Sequence, residues 1–127
     1  MPTFNNPETV APPVGAFSHA AVASGGTILH VSGQIGIAAD GSIPADVSAQ
    51  SEIVWDNLAK ILAANNMTMA NVVKVNAYLL DPEDLAAFGA VRTRYLVDNR
   101  PASTLVFVSA LVKPEPKVEV DLVAIAD

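Results

Sequence analysis

The sequence predicts an α+β fold in which two helices pack on one face of a mixed β-sheet. Two segments, 47–65 and 85–95, place apolar residues at helical spacing. Between and around them stand short runs rich in β-branched residues, the mark of strands. Their order is strand, strand, helix, strand, helix, strand, strand, and a chain of 127 residues has room for one such core, so residues 1–127 are read as a single domain.

The first strand is expected within Val14–Val22, and Ser24-Gly25-Gly26 then reads as a tight turn, glycine accepting positive φ without steric penalty. Thr27–Ser32 follows as a second strand, the two forming a hairpin, with Gly33-Gln34-Ile35-Gly36 continuing or bulging it. Asp40-Gly41 marks another turn. Asp46 suits a helix N-cap, its carboxylate accepting from first-turn amides. The helix runs on to about Asn65, with Val54, Leu58, Ile61 and Leu62 as its buried stripe and Asn65-Asn66 as its stop.

Val72–Leu80 reads as a strand. Asp81-Pro82-Glu83-Asp84 opens the second helix: Asp81 caps, Pro82 fits the first helical position, and the acids oppose the positive helix end. Leu85, Phe88, Val91 and Tyr95 form its buried stripe, and Arg100-Pro101 breaks it. Ser103–Val108 and Val118–Ala126 complete the sheet. In the last strand Val118, Val120, Leu122 and Ala124 share one face, and Glu119, Asp121, Val123 and Ile125 the other.

Composition narrows the function classes. The chain is 51% hydrophobic and 16% charged, more apolar than a small monomer needs, which points to a buried subunit interface. There is no cysteine, hence no disulfide, thiolate nucleophile or Cys-based zinc site. No signal peptide is visible at the start and no apolar run approaches the ~20 residues of a membrane span, so the cytoplasm is the expected compartment and no membrane partner is expected. Thirteen acids against seven bases give a net charge of −6, which disfavours nucleic acid as a partner. Small molecules and further copies of the chain are the expected partners.

The hydrolase-elbow, P-loop, dinucleotide-binding and HExxH patterns do not occur. His19 and His30 are the only histidines: His30, in an apolar strand, reads as a core or interface residue, and His19 lies near the start of the hairpin. No metal and no cofactor are expected. Asp121 is the more informative residue. Flanked by Val120, Leu122, Val123 and Ile125, it is either an outward-facing strand carboxylate beside Glu119 or a cleft carboxylate able to move protons or orient water.

Six segments, in order, resemble one family. Val14-Gly15-Ala16-Phe17-Ser18-His19-Ala20 resembles the opening IGPYSQA of the YjgF/RidA (Rid) superfamily, and Val31-Ser32-Gly33-Gln34-Ile35 its SGQI. Ile43-Pro44-Ala45-Asp46, Ala49-Gln50 and Asn57-Leu58 resemble the approach to and body of its first helix. Val72–Leu79 resembles its IVKTTVFL strand, Arg100-Pro101-Ala102-Ser103-Thr104 its FPARS, and Val118-Glu119-Val120-Asp121 its closing IEIE.

The resemblance implies a chorismate-mutase-like fold assembled as a homotrimer, with clefts between subunits in which enamines and imines are hydrolysed to ammonia and a keto acid. It also implies a site whose parts are altered in this chain. Ser103 stands in place of an arginine that clamps the substrate carboxylate, and a serine cannot balance that charge. Phe17 replaces a tyrosine, Asp121 a water-positioning glutamate, and Arg92 a helix asparagine, whereas Ser32 and Gly33 are kept. Asp121 is the expected catalytic residue. Phe17, Ser32, Gly33, Arg92, Ser103 and Thr104 are the expected substrate-binding residues. Arg92, with Arg94 near it, either supplies the missing cation or is a solvated helix residue pairing with Glu83 or Asp84. The function expected is a small-metabolite hydrolase acting on a substrate other than the usual imino acid. The alternative is a non-catalytic ligand-binding or protein-interaction module. Endoribonuclease activity, a label attached to the family, finds no basic stripe and no adjacent histidine pair here.

Overall fold

The computed structural model describes residues 2–127. Its strands are β1 (Thr3–Asn5), β2 (Ala20–Val22), β3 (Thr27–Ile35), β4 (Val72–Leu79), β5 (Ala102–Phe107) and β6 (Val118–Ala126); its helices are α1 (Val47–Ala64) and α2 (Leu85–Leu96). Four strands form a mixed sheet in the order β3-β6-β4-β5, with β6 antiparallel to both neighbours and β4 parallel to β5. β3 and β4 therefore run the same way with β6 between them. The crossovers β3-α1-β4 and β4-α2-β5 step in the same direction across the sheet, and crossovers of one hand then put both helices on one face.

Local chemistry sets the helix ends. The Asp46 carboxylate accepts from the Ala49 amide at 3.0 Å and starts α1. Asn66, at φ 59°, ends it in the left-handed conformation. Asp81 accepts from the Glu83 amide at 2.9 Å, and a 3-10 turn over Pro82–Asp84 leads into α2. The core lies between the helices and the sheet. Val54, Trp55, Leu58 and Leu62 of α1 meet Val118, Val120, Leu122 and Ala124 of β6, all essentially free of solvent, and each large side chain stabilises by about 1.5–3 kcal/mol. Trp55 joins the helices, its ring centroid 6.4 Å from Phe88 and 6.3 Å from Tyr95.

Buried Gln50 ties two loops to α1, the one between β3 and α1 and the one between β5 and β6. Its side-chain amide donates to the carbonyls of Pro44 (2.8 Å) and Glu115 (3.1 Å) and accepts from the Lys117 amide (2.7 Å). Gly36 packs so close to this residue that a Cβ would lie 2.8 Å from the Gln50 Cα, which is why the chain passes there only as glycine.

Four expectations are corrected. The hairpin of the first two predicted strands does not form: β2 spans only Ala20–Val22 and pairs with β1, while β3 pairs with β6. Two alanines and a valine offer little cross-strand surface, whereas β6 presents the alternating apolar row that Leu29 and Val31 need to close the core. His30 is exposed on β3 rather than in the core of the chain. Leu85 is 44% exposed, and Leu96 takes the buried place on α2. Finally, α2 stops well before Arg100-Pro101, because Val97 turns to φ 54°, ψ −112° and the Asn99 amide closes a turn on the Leu96 carbonyl at 2.9 Å.

Candidate functional site

The residues predicted to form one site fall on opposite sides of the sheet. On the face without helices, β3 slips register between Val31 and Gln34, so Ser32 and Gly33 together oppose Asp121. A Cβ on Gly33 would collide with the Glu119 side chain, so the bulge brings backbone against that carboxylate arm. Asp121 is half-buried. Its Oδ1 accepts from Asn76 Nδ2 at 2.8 Å and its Oδ2 from the Tyr78 hydroxyl at 3.0 Å. The hydrogen bond to Asp121, then burial, then the charges of Asp121 and Glu119 push the Tyr78 phenol above its ordinary pKa. Thr104 lies on the same face, its hydroxyl accepting from Lys74 Nζ at 3.0 Å.

Ser103, the neighbour of Thr104, faces the other way, as strand geometry requires. Its hydroxyl accepts from Arg92 Nη1 at 3.0 Å, joining β5 to α2. Above this pair the N-terminal segment crosses the edge strand. Ser18 bridges Ala102, and its amide donates to the Pro101 carbonyl at 3.3 Å, which brings Val14–Phe17 over α2. The result is a cavity of about 430 Å³ lined by Phe17, Leu85, Phe88, Gly89, Arg92, Thr93, Ser103 and Leu105, with Val14–Ala16 at its rim.

Arg92 dominates this cavity electrostatically. It is partly buried, and desolvation draws its pKa below the ordinary arginine value. It pairs with neither Glu83 nor Asp84; among the described residues its side chain meets no carboxylate. Arg94 does not support the site: it bonds Glu52 at 2.7 Å on the far side of α2. A wider groove of about 560 Å³ runs past Glu52, Asp56 and Tyr95, but Arg94 and Lys60 already neutralise its acids. Among the described residues no three His, Cys, Asp or Glu side chains gather as a metal site, and no helix is long and apolar enough to cross a membrane.

Asn76 and Tyr78 were not singled out from the sequence. They alternate with buried Val75, Ala77 and Leu79, so the period of β4 places them on the same face as Asp121. Gly89, Leu85 and Leu105 are likewise new to the site, and nothing in their types announces a ligand.

Residues 8–126 match the family described as Endoribonuclease L-PSP. The chain belongs to this family, within the YjgF/RidA superfamily. It is 36% identical over 115 residues to Protein DfrA of Myxococcus xanthus, covering 89% of this chain and 87% of that one. It is 33% identical to the mitochondrial Protein MMF1 of Saccharomyces cerevisiae over 103 residues, covering 80% and 70% respectively, so the family is not confined to one compartment. Among solved structures, the Rid-family protein YyfB from Yersinia pestis superposes with a TM-score of 0.87 at 33% identity over 97% of both chains. RidA from an Antarctic Psychrobacter does so with 0.74 at 31% identity, over 89% and 90%. These matches establish the two-helix, mixed-sheet Rid fold.

Proposed function

We propose that this Rid-family chain is a small-metabolite hydrolase of the enamine and imine deaminase kind, working in clefts between three copies on a substrate other than the usual imino acid. The observation that carries the reading is Arg92: a partly buried guanidinium with no acid partner, bonded to Ser103, the residue that stands where the family's clamp arginine is expected. The helix thereby supplies the cation that the strand has given up. Water adds to the C=N carbon of the substrate, ammonia leaves, and a keto product remains.

In this reading Asp121 orients the water and Ser32, Gly33 and Thr104 bind the substrate from the open sheet face. That face and the Arg92 cavity are separated by the sheet within one chain. One cleft holds both only if the open face of a neighbouring copy packs against the β5 edge of the first. The exposed Ile28, Val106 and Phe107, with the high apolar content, supply surface for such packing. One Rid domain over 1–127, without cofactor or nucleic-acid partner and in the cytoplasm, belongs to the same proposal. The family is described as an endoribonuclease, but this chain carries a net charge of −6, which disfavours a phosphate backbone.

The second reading, a non-catalytic binding module on the same trimer, rests on Asp121. Both its oxygens already accept hydrogen bonds, although each keeps a second lone pair. One assay separates the readings: aminoacrylate and short-chain imines are generated in solution and ammonia and keto-acid release are followed. Catalysis predicts acceleration that falls on the order of a hundredfold in Asp121→Asn, the size typical of a lost acid–base group. Release at the background rate favours the binding module or a substrate outside these imines.

A further inference from the structure

Arg92 and Glu119 each lie partly buried without an opposite charge. Among the described residues Arg92 meets no carboxylate, and Glu119 accepts no hydrogen bond and pairs with no cation. We infer that each is the partner of the other across two copies: Arg92 of one chain meets Glu119 of the next. The inference rests on the packing proposed above, in which a neighbour's open face meets the β5 edge. It adds the contact that fixes how the two copies sit.

Within one chain the pair cannot form, because the sheet stands between its members. Glu119 lies on the open face of β6, opposite Ile35 and Tyr78, and its carboxylate arm fills the space that Gly33 leaves by having no Cβ. The cation-capable groups of that face do not serve it: Lys74 reaches Thr104 instead, and His30 stands opposite Val123. Arg92 lies on the helix side. Its Nη1 donates to Ser103 Oγ at 3.0 Å, which holds the guanidinium beside β5, the edge strand of the sheet. One neutral acceptor uses little of a fork of N–H donors, so the fork keeps bonds to offer outward.

Asp121 shares the open face but is the less suitable acid. Both its oxygens already accept from β4, from Asn76 at 2.8 Å and Tyr78 at 3.0 Å, and its arm is shorter by a methylene. Glu119 has no such bond to give up. Covering a half-buried carboxylate with a second copy raises its desolvation penalty unless the cover brings a cation. Arg92 brings one in the form that suits it, because a guanidinium grips a carboxylate through two parallel bonds. Donors remain on the fork for a ligand in the same cleft. Opposite charges placed on the two sides of a contact fix its register more than its strength.

The test follows association of the intact chain by sedimentation equilibrium, with circular dichroism as the check on folding. Glu119→Arg sets two cations against each other and should weaken association on the order of a hundredfold. Glu119→Gln should weaken it by about tenfold and remove most of its dependence on salt between about 0.05 and 0.5 M. Arg92→Glu combined with Glu119→Arg rebuilds the pair in reverse and should recover most of the wild-type association. Should Arg92→Glu fail to fold, Arg92→Gln, which keeps a donor for Ser103, completes the cycle with Glu119→Gln, and the two losses should not add. Additive losses, or a Glu119→Gln chain that associates as the wild type does, would overturn the pairing. Ile28→Asp separates this from the packing beneath it. If that substitution weakens association and the Glu119 variants do not, the packing stands and the pair falls. A wild-type chain that stays monomeric at every concentration reached removes both.

Discussion

The two faces of β6 obey different rules. Val118, Val120, Leu122 and Ala124 point under the helices and are at most 1% exposed; Glu119, Asp121 and Val123, each one residue further on, stand half-buried on a face that no helix covers. The closed face is held by hydrocarbon packing that the chain completes alone. The open face is held by directed polar contacts, Asn76 and Tyr78 on Asp121 and Lys74 on Thr104, beside apolar residues such as Ile28. An arrangement that orders polar groups while leaving apolar ones uncovered is suited to a surface that meets another copy. Stability of the single chain therefore belongs to one face, and the other is the face we propose for assembly and for the role of Asp121.

The strongest way to break this contrast is to cut equivalent residues on the two faces. Leu122→Ala removes a fully buried side chain and should cost about 2–5 kcal/mol in urea unfolding, because the closed face cannot collapse into the space left. Val123→Ala should cost less than half as much in a chain kept monomeric by dilution. Equal losses would mean that the open face also carries the chain's own core. The next effect concerns assembly. Ile28→Asp puts a charge on a residue 60% exposed in the single chain, so the fold should survive, with circular dichroism unchanged. If a neighbouring copy covers that face, sedimentation should show at least a tenfold weaker association, about 1.4 kcal/mol. An unchanged sedimentation profile would take Ile28 out of the interface.

Much of this contrast was legible in the sequence, because a period of two writes the faces of a strand into its residues. The bounds of β6, the Asp46 cap and the Asn65-Asn66 stop follow from local chemistry and agree with the structure. The pairing of β2 was not legible. Gly25-Gly26 permits a hairpin, but whether β3 takes β2 or β6 as neighbour is decided by which partner completes a core distant in sequence. The candidate site residues were named by resemblance, and their arrangement was illegible. Ser103 and Thr104 read as one binding pair until strand alternation sends them to opposite faces. The partner of Arg92 depended on which way the helix presents it, and a sequence does not say that Glu83 and Asp84 are out of reach.

Smaller effects sharpen the picture on the helix side. α2 carries glycine where a helix favours a side chain, at 89, and valine where its closing turn favours glycine, at 97. Gly89→Ala should stabilise by about 0.5–1 kcal/mol. Val97→Gly should gain a similar amount by relieving a β-branched residue at positive φ. Both are read from thermal unfolding. A loss of stability in Gly89→Ala would show that the cavity floor has no room for even a methyl group.

The smallest effect tests the polar lattice of the open face directly. Tyr78 donates to Asp121 only while it is a neutral phenol, and its pKa is raised above the ordinary 10.0 for that reason first. A raised pKa means that the folded state holds the proton more firmly than the unfolded state. The bond's contribution is therefore complete below 10.0 and disappears as pH climbs through the raised value. Tyr78→Phe should then lower stability at neutral pH by less than about 1 kcal/mol, the net worth of one half-exposed hydrogen bond, with the deficit vanishing in strong alkali. Asp121→Asn should bring the phenolate absorbance of Tyr78 back toward ordinary titration. Tyr95, raised first by burial and then by Asp56 and Glu52 on the far side of the molecule, should not move. If Asn at position 121 left both tyrosines titrating as before, Asp121 would not be anchored by β4, and the order of the open face would need another source.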